Sequence, residues 1–283
     1  MVIGDRSAIP DYLTLLRLDD RPFVVIGAGQ GIGRQTAHAL AQAGAHVICV
    51  DREADLAHAV AQETNGIPYV CDGTKREEVQ SLFEEAKRRF GRVAGIVDIL
   101  GMAKLKPLSQ FTDEEWNWQF EVVLRHMFLT LQLGVPAMTL GGTIVFVGSI
   151  SGDLCVPRET VYGSAKAAQH HLVRAAALEY ARQGIRINAV SPGFTRTPRL
   201  LAMLGEENWA EIDRAVPVGS AAQPYEVAST VLFLASDLSK HILGEVITVD
   251  GGLSASGQLP PMRPVVKPAD TGATPEPGST RGQ

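Results

Sequence analysis

No apolar stretch in the chain reaches the roughly 18 residues that a membrane-spanning helix needs, so a helical passage through a bilayer is not expected. Cysteine is scarce: Cys49, Cys71 and Cys155 are three isolated thiols without metal-ligand spacing. That pattern argues against a disulfide framework or a thiolate-held metal, and fits free, buried or half-buried cysteines in a reducing compartment. Excess positive charge is also missing, since 26 Lys and Arg face 31 Asp and Glu for a net charge of −5. Neither a nucleic acid nor an anionic membrane surface is therefore an expected partner. The opening Met1-Val2-Ile3-Gly4-Asp5-Arg6 lacks a basic head followed by an apolar region, so no export signal is expected and a cytoplasmic location is. With 283 residues, 45% hydrophobic and 20% charged, the composition is that of a globular chain large enough for a substantial core. A small-molecule ligand is the partner these exclusions leave.

The chain reads as alternating strands and helices. Pro22-Phe23-Val24-Val25-Ile26 runs into Gly27-Ala28-Gly29-Gln30-Gly31-Ile32-Gly33, which passes into a segment rich in helix formers. Glycines in such a turn let the backbone approach a pyrophosphate and leave the amides of the helix start free to bind it. A second apolar run, 45–50, ends in Asp51, about 24 residues after Gly27, where a ribose-binding carboxylate is expected. A carboxylate there accepts the ribose diol and repels a 2′-phosphate, which favours NAD over NADP. Arg52 beside it either blunts that preference or is a solvated charge at a helix start.

Further helices are expected at 53–62, 75–90, 112–137 and 162–183, with strands at 67–71, 94–100, 143–147 and 185–190. Strands separated by helix-length segments imply crossover connections, hence an α/β fold with a doubly wound, Rossmann-like parallel sheet in a single domain. Ligands in such sheets sit at the carboxyl ends of strands, where Asp51, Asp72, Gly101, Ser149 and Pro192-Gly193 fall. The expected organisation is an N-terminal arm at 1–20, whose Tyr12, Leu13, Leu15, Leu16 and Leu18 pack back onto the body. The Rossmann domain follows at 21–253, then a flexible Pro/Gly-rich tail at 254–283. The 112–137 helix is apolar nearly all round, which implies burial on more than one side, by its own sheet and by another subunit.

Tyr162-Gly163-Ser164-Ala165-Lys166 carries a hydroxyl and an ammonium four residues apart, on one helical face. A free tyrosine titrates near ~10, so its use as acid or base near neutrality requires a shift of roughly 2–3 units. A nearby ammonium and a positively charged cofactor ring both favour the phenolate. Ser149, thirteen positions earlier, can orient a carbonyl or alcohol oxygen.

Together, Gly27-x3-Gly31-x-Gly33, Asp51, Asp72, Ser149, Tyr162-x3-Lys166, Asn188-Ala189-Val190-Ser191-Pro192-Gly193 and Val249-Asp250-Gly251-Gly252 resemble the short-chain dehydrogenase/reductase family over about residues 18–252. The resemblance implies that Tyr162 is the general acid/base, that Lys166 binds the nicotinamide ribose, and that Ser149 holds the substrate oxygen. It places Gly27, Gln30, Gly31, Ile32, Gly33, Asp51 and Arg52 at the adenosine and phosphate end, and Asp72 and Gly73 beside the adenine. Asp98 and Gly101 fall along the cofactor, and Pro192, Gly193, Thr195 and Thr197 at the nicotinamide carboxamide. It further implies hydride exchange between NAD and a secondary alcohol or ketone, without a metal, in a homotetramer or homodimer.

Three departures stand out. Ile26 replaces the usual threonine, Asp98-Ile99-Leu100-Gly101 keeps only the glycine of a usual Asn-Asn-Ala-Gly, and Val123 stands where an asparagine normally completes a proton relay. A valine side chain cannot hydrogen-bond, and His126, one turn on, is either its substitute or a packing residue. The expected activity is NAD-dependent interconversion of a secondary alcohol and a ketone. The alternatives are an NADPH-linked ketone reductase and an NAD-binding protein with weakened catalysis. Leu200, Leu201, Met203, Leu204 and Trp209, with Cys155, Val156 and Pro157, either wall the pocket for a bulky cyclic or aromatic substrate or pack a lid. Arg158 and Glu159 either contact a polar group or face solvent.

Overall fold

The computed structural model describes residues 8–257 and Pro260, and strands and helices alternate along them. In order they are α1 (Tyr12–Leu16), β1 (Pro22–Ile26), α2 (Gly31–Gln42), β2 (His46–Asp51), α3 (Ala54–Thr64), β3 (Ile67–Val70), α4 (Arg76–Phe90) and β4 (Gly95–Asp98). There follow α5 (Asp113–Phe120), α6 (His126–Leu129), β5 (Gly142–Val147), α7 (Thr160–Tyr180), β6 (Ile185–Pro192), α8 (Pro198–Met203), α9 (Glu206–Ala215), α10 (Pro224–Ala235), β7 (Val246–Val249) and α11 (Leu253–Ser256). The strands form one sheet in the order β3-β2-β1-β4-β5-β6-β7, and every pairing is parallel. Expectation and structure agree on the doubly wound α/β fold.

Pleating sends alternate side chains to opposite faces, and β1 shows the result. Val24 and Ile26 join a core cluster with Leu82 and Phe83 of α4, Met127 of α6 and Val173 of α7. Phe23 and Val25 join the opposite cluster with Leu40 of α2 and Val231 and Leu234 of α10. Both faces are covered, which is why the strands read as continuous apolar runs. Chain order reverses between β3 and β4, and β1 and β4 become neighbours. A crevice opens at the carboxyl ends of strands on either side of such a switch.

Three expectations need correction. The 112–137 segment is not one helix. Thr112 and Glu115 form a reciprocal cap that starts α5, but π-helical turns follow at Glu121–Arg125 and Thr130–Gly134, with α6 between them. Each π turn takes in an extra residue and rotates the faces that follow, so Val123, Met127, Leu129 and Leu131 are all buried although no single stripe joins them. Trp116 and Phe128 stay at the surface. In the N-terminal arm, Leu18 is completely buried and its amide donates to Ala43 O at 2.8 Å, whereas Tyr12 and Leu13 are exposed. α1 spans five residues capped by Asp11, too short to turn all its apolar side chains inward. Finally, Cys49 and Cys71 are buried but Cys155 is exposed, on the loop before α7.

Of the expected tail, residues 258, 259 and 261–283 lie outside the described residues. Its first part is ordered: α11 is anchored by buried Leu253, and Pro260 is buried. Sequence patterning also passed over α10 and left β7 as a terminal motif. α10 carries its own start signal, Pro224 in the first turn and a Gln223/Glu226 cap. No helix among the described residues is long and apolar enough to cross a membrane.

Leu18 is the one fully buried side chain among the described residues of the arm, with Leu15 and Leu16 half-buried. Leu18→Ala is expected to lower stability by about 2–4 kcal/mol in chemical denaturation, and Leu13→Ala to stay within about 0.5 kcal/mol of the parent.

Candidate active site

A cavity of about 570 Å³ lies along the carboxyl ends of the strands. At one end β1 passes into α2 through Gly27, whose φ of +85° suits glycine. A methyl group on Gly33 would come 1.8 Å from Gly27 O, so the first turn of α2 can approach the strand only with glycine there. Gln30 offers no side-chain cap; its carbonyl accepts the Gly33 amide at 3.1 Å and the Arg34 amide at 3.3 Å, and the Gly31 and Ile32 amides are left for a ligand. Gly31 faces Thr197 across the cavity, close enough that a methyl group on it would lie 3.3 Å from the threonine methyl.

Asp51 ends β2 with its carboxylate oriented by two amides, from Gly29 at 2.9 Å and Glu53 at 3.1 Å. Arg52 leans on Glu53, Nε to Oε1 3.2 Å, with both side chains largely in solvent. Asp72 accepts the Thr74 amide at 2.9 Å and its hydroxyl at 2.7 Å. Burial works against its charge, but the Thr74 bonds together with the nearby Lys75 and Arg52 charges outweigh this and hold the carboxyl below its usual range.

At the other end stand Ser149, Tyr162 and Lys166. Ser149 follows β5 and accepts the Ser151 amide at 3.2 Å. Lys166 is 2% exposed; its Nζ donates to Val147 O at 2.9 Å and lies 5.8 Å from the centre of the Tyr162 ring. Burial drives the Lys166 pKa down to about 7, with Asp98 pulling it back up. Burial drives Tyr162 in the opposite sense, above its ordinary value. Ser149 and Arg199 oppose that shift and Glu159 adds to it. The pair is therefore balanced toward its neutral forms, the reverse of the phenolate–ammonium arrangement that spacing suggested.

Of the residues singled out in the sequence, Gly27, Gln30, Gly31, Ile32, Asp51, Arg52, Asp72, Gly73, Gly101, Ser149, Tyr162, Lys166, Pro192, Gly193, Thr195 and Thr197 line the cavity. Gly33 lies beneath the turn. Asp98 is a correction: its side chain is fully buried behind the wall, accepting from Thr130 Oγ1 at 2.8 Å and the Leu100 amide at 3.2 Å and bonded to His126 Nδ1 at 2.8 Å. Those bonds use the carboxylate and keep it from the cavity. His126, equally buried, is tied to Asp98 and does not line the cavity.

The lid residues divide. Leu200 and Met203 face the cavity, as does Val156 before α7. Leu204 and Trp209 are buried in a separate cluster with Ile212, Val216 and Leu253, and Leu201 is exposed. Sequence reasoning left Glu159 open and missed Ser151, Arg199 and Pro260, all of which line the cavity. For Glu159 and Ser151 the available signal was proximity to Tyr162 and Ser149; Pro260 carried none.

A family model described as enoyl-(acyl carrier protein) reductase matches residues 27–254. The chain belongs to the short-chain dehydrogenase/reductase family. Among relatives of this enzyme, a 3-oxoacyl-[acyl-carrier-protein] reductase of Thermotoga maritima is 34% identical over 84% of this chain and 99% of its own length. A cis-4-hydroxycyclohexanecarboxylate dehydrogenase of Sinomonas cyclohexanicum is 36% identical over 83% and 97%. A 7α-hydroxysteroid dehydrogenase, solved with NADH and 7-oxo glycochenodeoxycholic acid, superposes with a TM-score of 0.82 at 31% identity, covering 86% of this chain and 98% of that one. This short-chain dehydrogenase/reductase is an NAD(P)-dependent oxidoreductase. Its cavity fits a dinucleotide: the glycine turn would crowd out any side chain where a phosphate must approach, and carboxylates stand where sugar hydroxyls would be received.

The depressed Lys166 has a consequence for stability. Between pH about 7 and 10 the unfolded chain holds a lysine proton that the folded chain has released, so folding stability rises with pH there, by up to about 1.4 kcal/mol per unit. Above that window the elevated Tyr162 acts in the opposite direction. Denaturation midpoints measured from pH 7 to 10 should climb in the parent relative to Lys166→Met, and parallel curves would contradict the shift.

Proposed function

We propose that this enzyme interconverts a bulky, mainly apolar secondary alcohol and its ketone with NAD, with Tyr162 as the acid/base. The observation that carries the reading is a single cavity with the Ser149, Tyr162 and Lys166 heads at one end and the amide-held Asp51 at the other. Asp51 receives the adenosine ribose hydroxyls, the amides at the start of α2 the pyrophosphate, and Asp72 and Gly73 flank the adenine. Pro192, Gly193, Thr195 and Thr197 hold the carboxamide side. Ser149 donates to the substrate oxygen, Tyr162 takes the alcohol proton, and Lys166 binds the nicotinamide ribose. When bound, the oxidised nicotinamide supplies a hydride acceptor and a positive charge.

That positive charge matters because burial opposes the phenolate of Tyr162. Ser149 and the exposed Arg199 act in the same sense as the cofactor's charge. Leu105, Trp118, Val122, Val156, Leu200 and Met203 give the cavity an apolar lining, which supports a cyclic or aromatic substrate. Relatives named for a hydroxycyclohexane carboxylate and for a hydroxysteroid support the same class. Arg52 at the ribose end favours a second reading, NADPH-linked ketone reduction; its pairing with Glu53 and the adjacent Asp51 weigh toward NAD. Exposed Trp116 and Phe128, with Leu178 on α7, support assembly as a homotetramer or homodimer, and buried free thiols at Cys49 and Cys71 support a cytoplasmic location.

The test is reduction of NAD and, in parallel, NADP across a panel of secondary alcohols. Turnover of cyclic or aromatic alcohols with NAD is expected, with Tyr162→Phe slower by about a hundredfold or more. A Tyr162→Phe enzyme that kept the parent rate would end this reading, and a preference for NADP would move it to the ketone reductase.

A further inference from the structure

Three residues before Tyr162, a carboxyl is built into the cavity wall without a task in the chemistry above. Glu159 is 8% exposed, and its Oε2 accepts a hydrogen bond from Ser151 Oγ at 2.5 Å. Its other oxygen, Oε1, has no hydrogen-bond partner among the described residues, yet it is not sealed from solvent. Glu159 and Ser151 line the cavity with Ser149 and Tyr162, so the cavity is the space from which a ligand reaches that oxygen.

The carboxyl stands beside the reacting end. Ser151 ties the two together: its amide donates to Ser149 Oγ at 3.2 Å and its hydroxyl donates to Glu159. Ser149 Oγ lies 3.2 Å from Ser151 Oγ, so Glu159 Oε2 is at most two hydrogen-bond steps from the hydroxyl that holds the substrate oxygen. The backbone is strained to reach this placement. Arg158 has a φ of +70°, a left-handed conformation that a non-glycine residue seldom adopts, and from it the chain turns into α7 at Glu159. Lys106 N fixes that turn by donating to Arg158 O at 3.0 Å.

Burial opposes the charge of Glu159 more strongly than the Ser151 bond supports it, and pushes the carboxyl up from its ordinary value. No cation among the described residues pairs with it. Lys104 and Lys106 both bond Glu115, Arg52 leans on Glu53, and Lys166 Nζ donates to Val147 O. The other acids lining the cavity are provided for: Asp51 and Asp72 are held by amides at the cofactor end, and Glu121 faces Arg125 at 3.6 Å. What surrounds the tyrosine end is otherwise apolar, with Trp118, Val122, Val156 and Met203 in the lining.

An apolar chamber with one uncompensated acid selects by charge as well as by shape. A second hydroxyl on a ligand would give Glu159 Oε1 a hydrogen bond but leave its charge unbalanced. A carboxylate would set like charges side by side. A protonated amine supplies both the donor and the balancing charge. We propose that Glu159 is a specificity-determining residue that binds an ammonium group of the substrate, so that the enzyme selects cyclic secondary alcohols and ketones carrying a protonated amine a few bonds from the reacting carbon. The inference rests on the reading that Ser149 and Tyr162 receive the alcohol.

Four congeners of one ring test it with the full chain and NAD: 4-aminocyclohexanol, 4-methylcyclohexanol, cyclohexane-1,4-diol and 4-hydroxycyclohexanecarboxylate, each as cis and trans isomers. Below pH ~10 the amine is protonated. NADH formation gives kcat/KM for each. In the parent the amino alcohol should exceed the methyl congener by about tenfold or more, with the carboxylate poorest. In Glu159→Gln the amine-to-methyl ratio should fall by about tenfold, and Glu159→Asp should keep part of it. A parent that ranks the methyl or carboxylate congener level with the amine overturns the inference and leaves the proposed function standing, as does an unchanged ratio in Glu159→Gln. No oxidation of any ring alcohol would remove the proposed function, and the inference with it. Should Glu159→Gln lose its melting transition, the ranking in the parent decides.

Discussion

A buried lysine governs this active site. Lys166 is almost wholly removed from water, which drives it toward its neutral form, and any charge it carries must be compensated locally. Val147 at the end of β5 gives it a carbonyl. Gly101 stays clear of it, since a methyl group there would lie 3.1 Å from Nζ. Asp98 at the end of β4 supplies a charge from behind, itself fixed by His126 of α6 and Thr130 in the π-helical turn after it. One side chain of α7 thus depends on two central strands and on a helix with two π turns. The Asp98-to-Gly101 segment, which looked degenerate in the sequence, is the compensation.

How much of this was legible depends on range. The strand–turn–helix at Gly27, the carboxylate at Asp51 and the hydroxyl and ammonium spacing of Tyr162 and Lys166 are local patterns, and the structure gathers nearly all of those residues along one cavity. What escaped is long-range. Asp98 meets partners 28 and 32 residues away, and nothing near it in the chain announces them. The breaks in the 112–137 segment follow from packing demands on Val123, Met127, Leu129 and Leu131 together, which residue preferences do not encode. Glu159 was visible as a charge, but its inward course depends on the single residue Arg158 adopting a rare backbone angle.

The lid shows the intermediate case. Leu200 and Met203 lie three apart on α8 and share the face toward the cavity, while Leu204, past the end of that helix, packs with Trp209 and Ile212 of α9. Helical phase could have separated wall from packing, had the end of α8 been known. The lid is therefore a small core of its own, with only its inner edge available to a ligand.

Pro260 gives the carboxyl-terminal region a practical weight. It lies past α11, the last helix among the described residues, yet it is buried against the cavity that the strand ends enclose. A shortened expression version ending at Ser256 would remove part of the wall while leaving every strand, helix and family motif in place. Such a protein could be well folded and soluble and still differ in substrate range, so assays on trimmed or carboxyl-terminally fused versions would describe a different pocket from that of the whole chain.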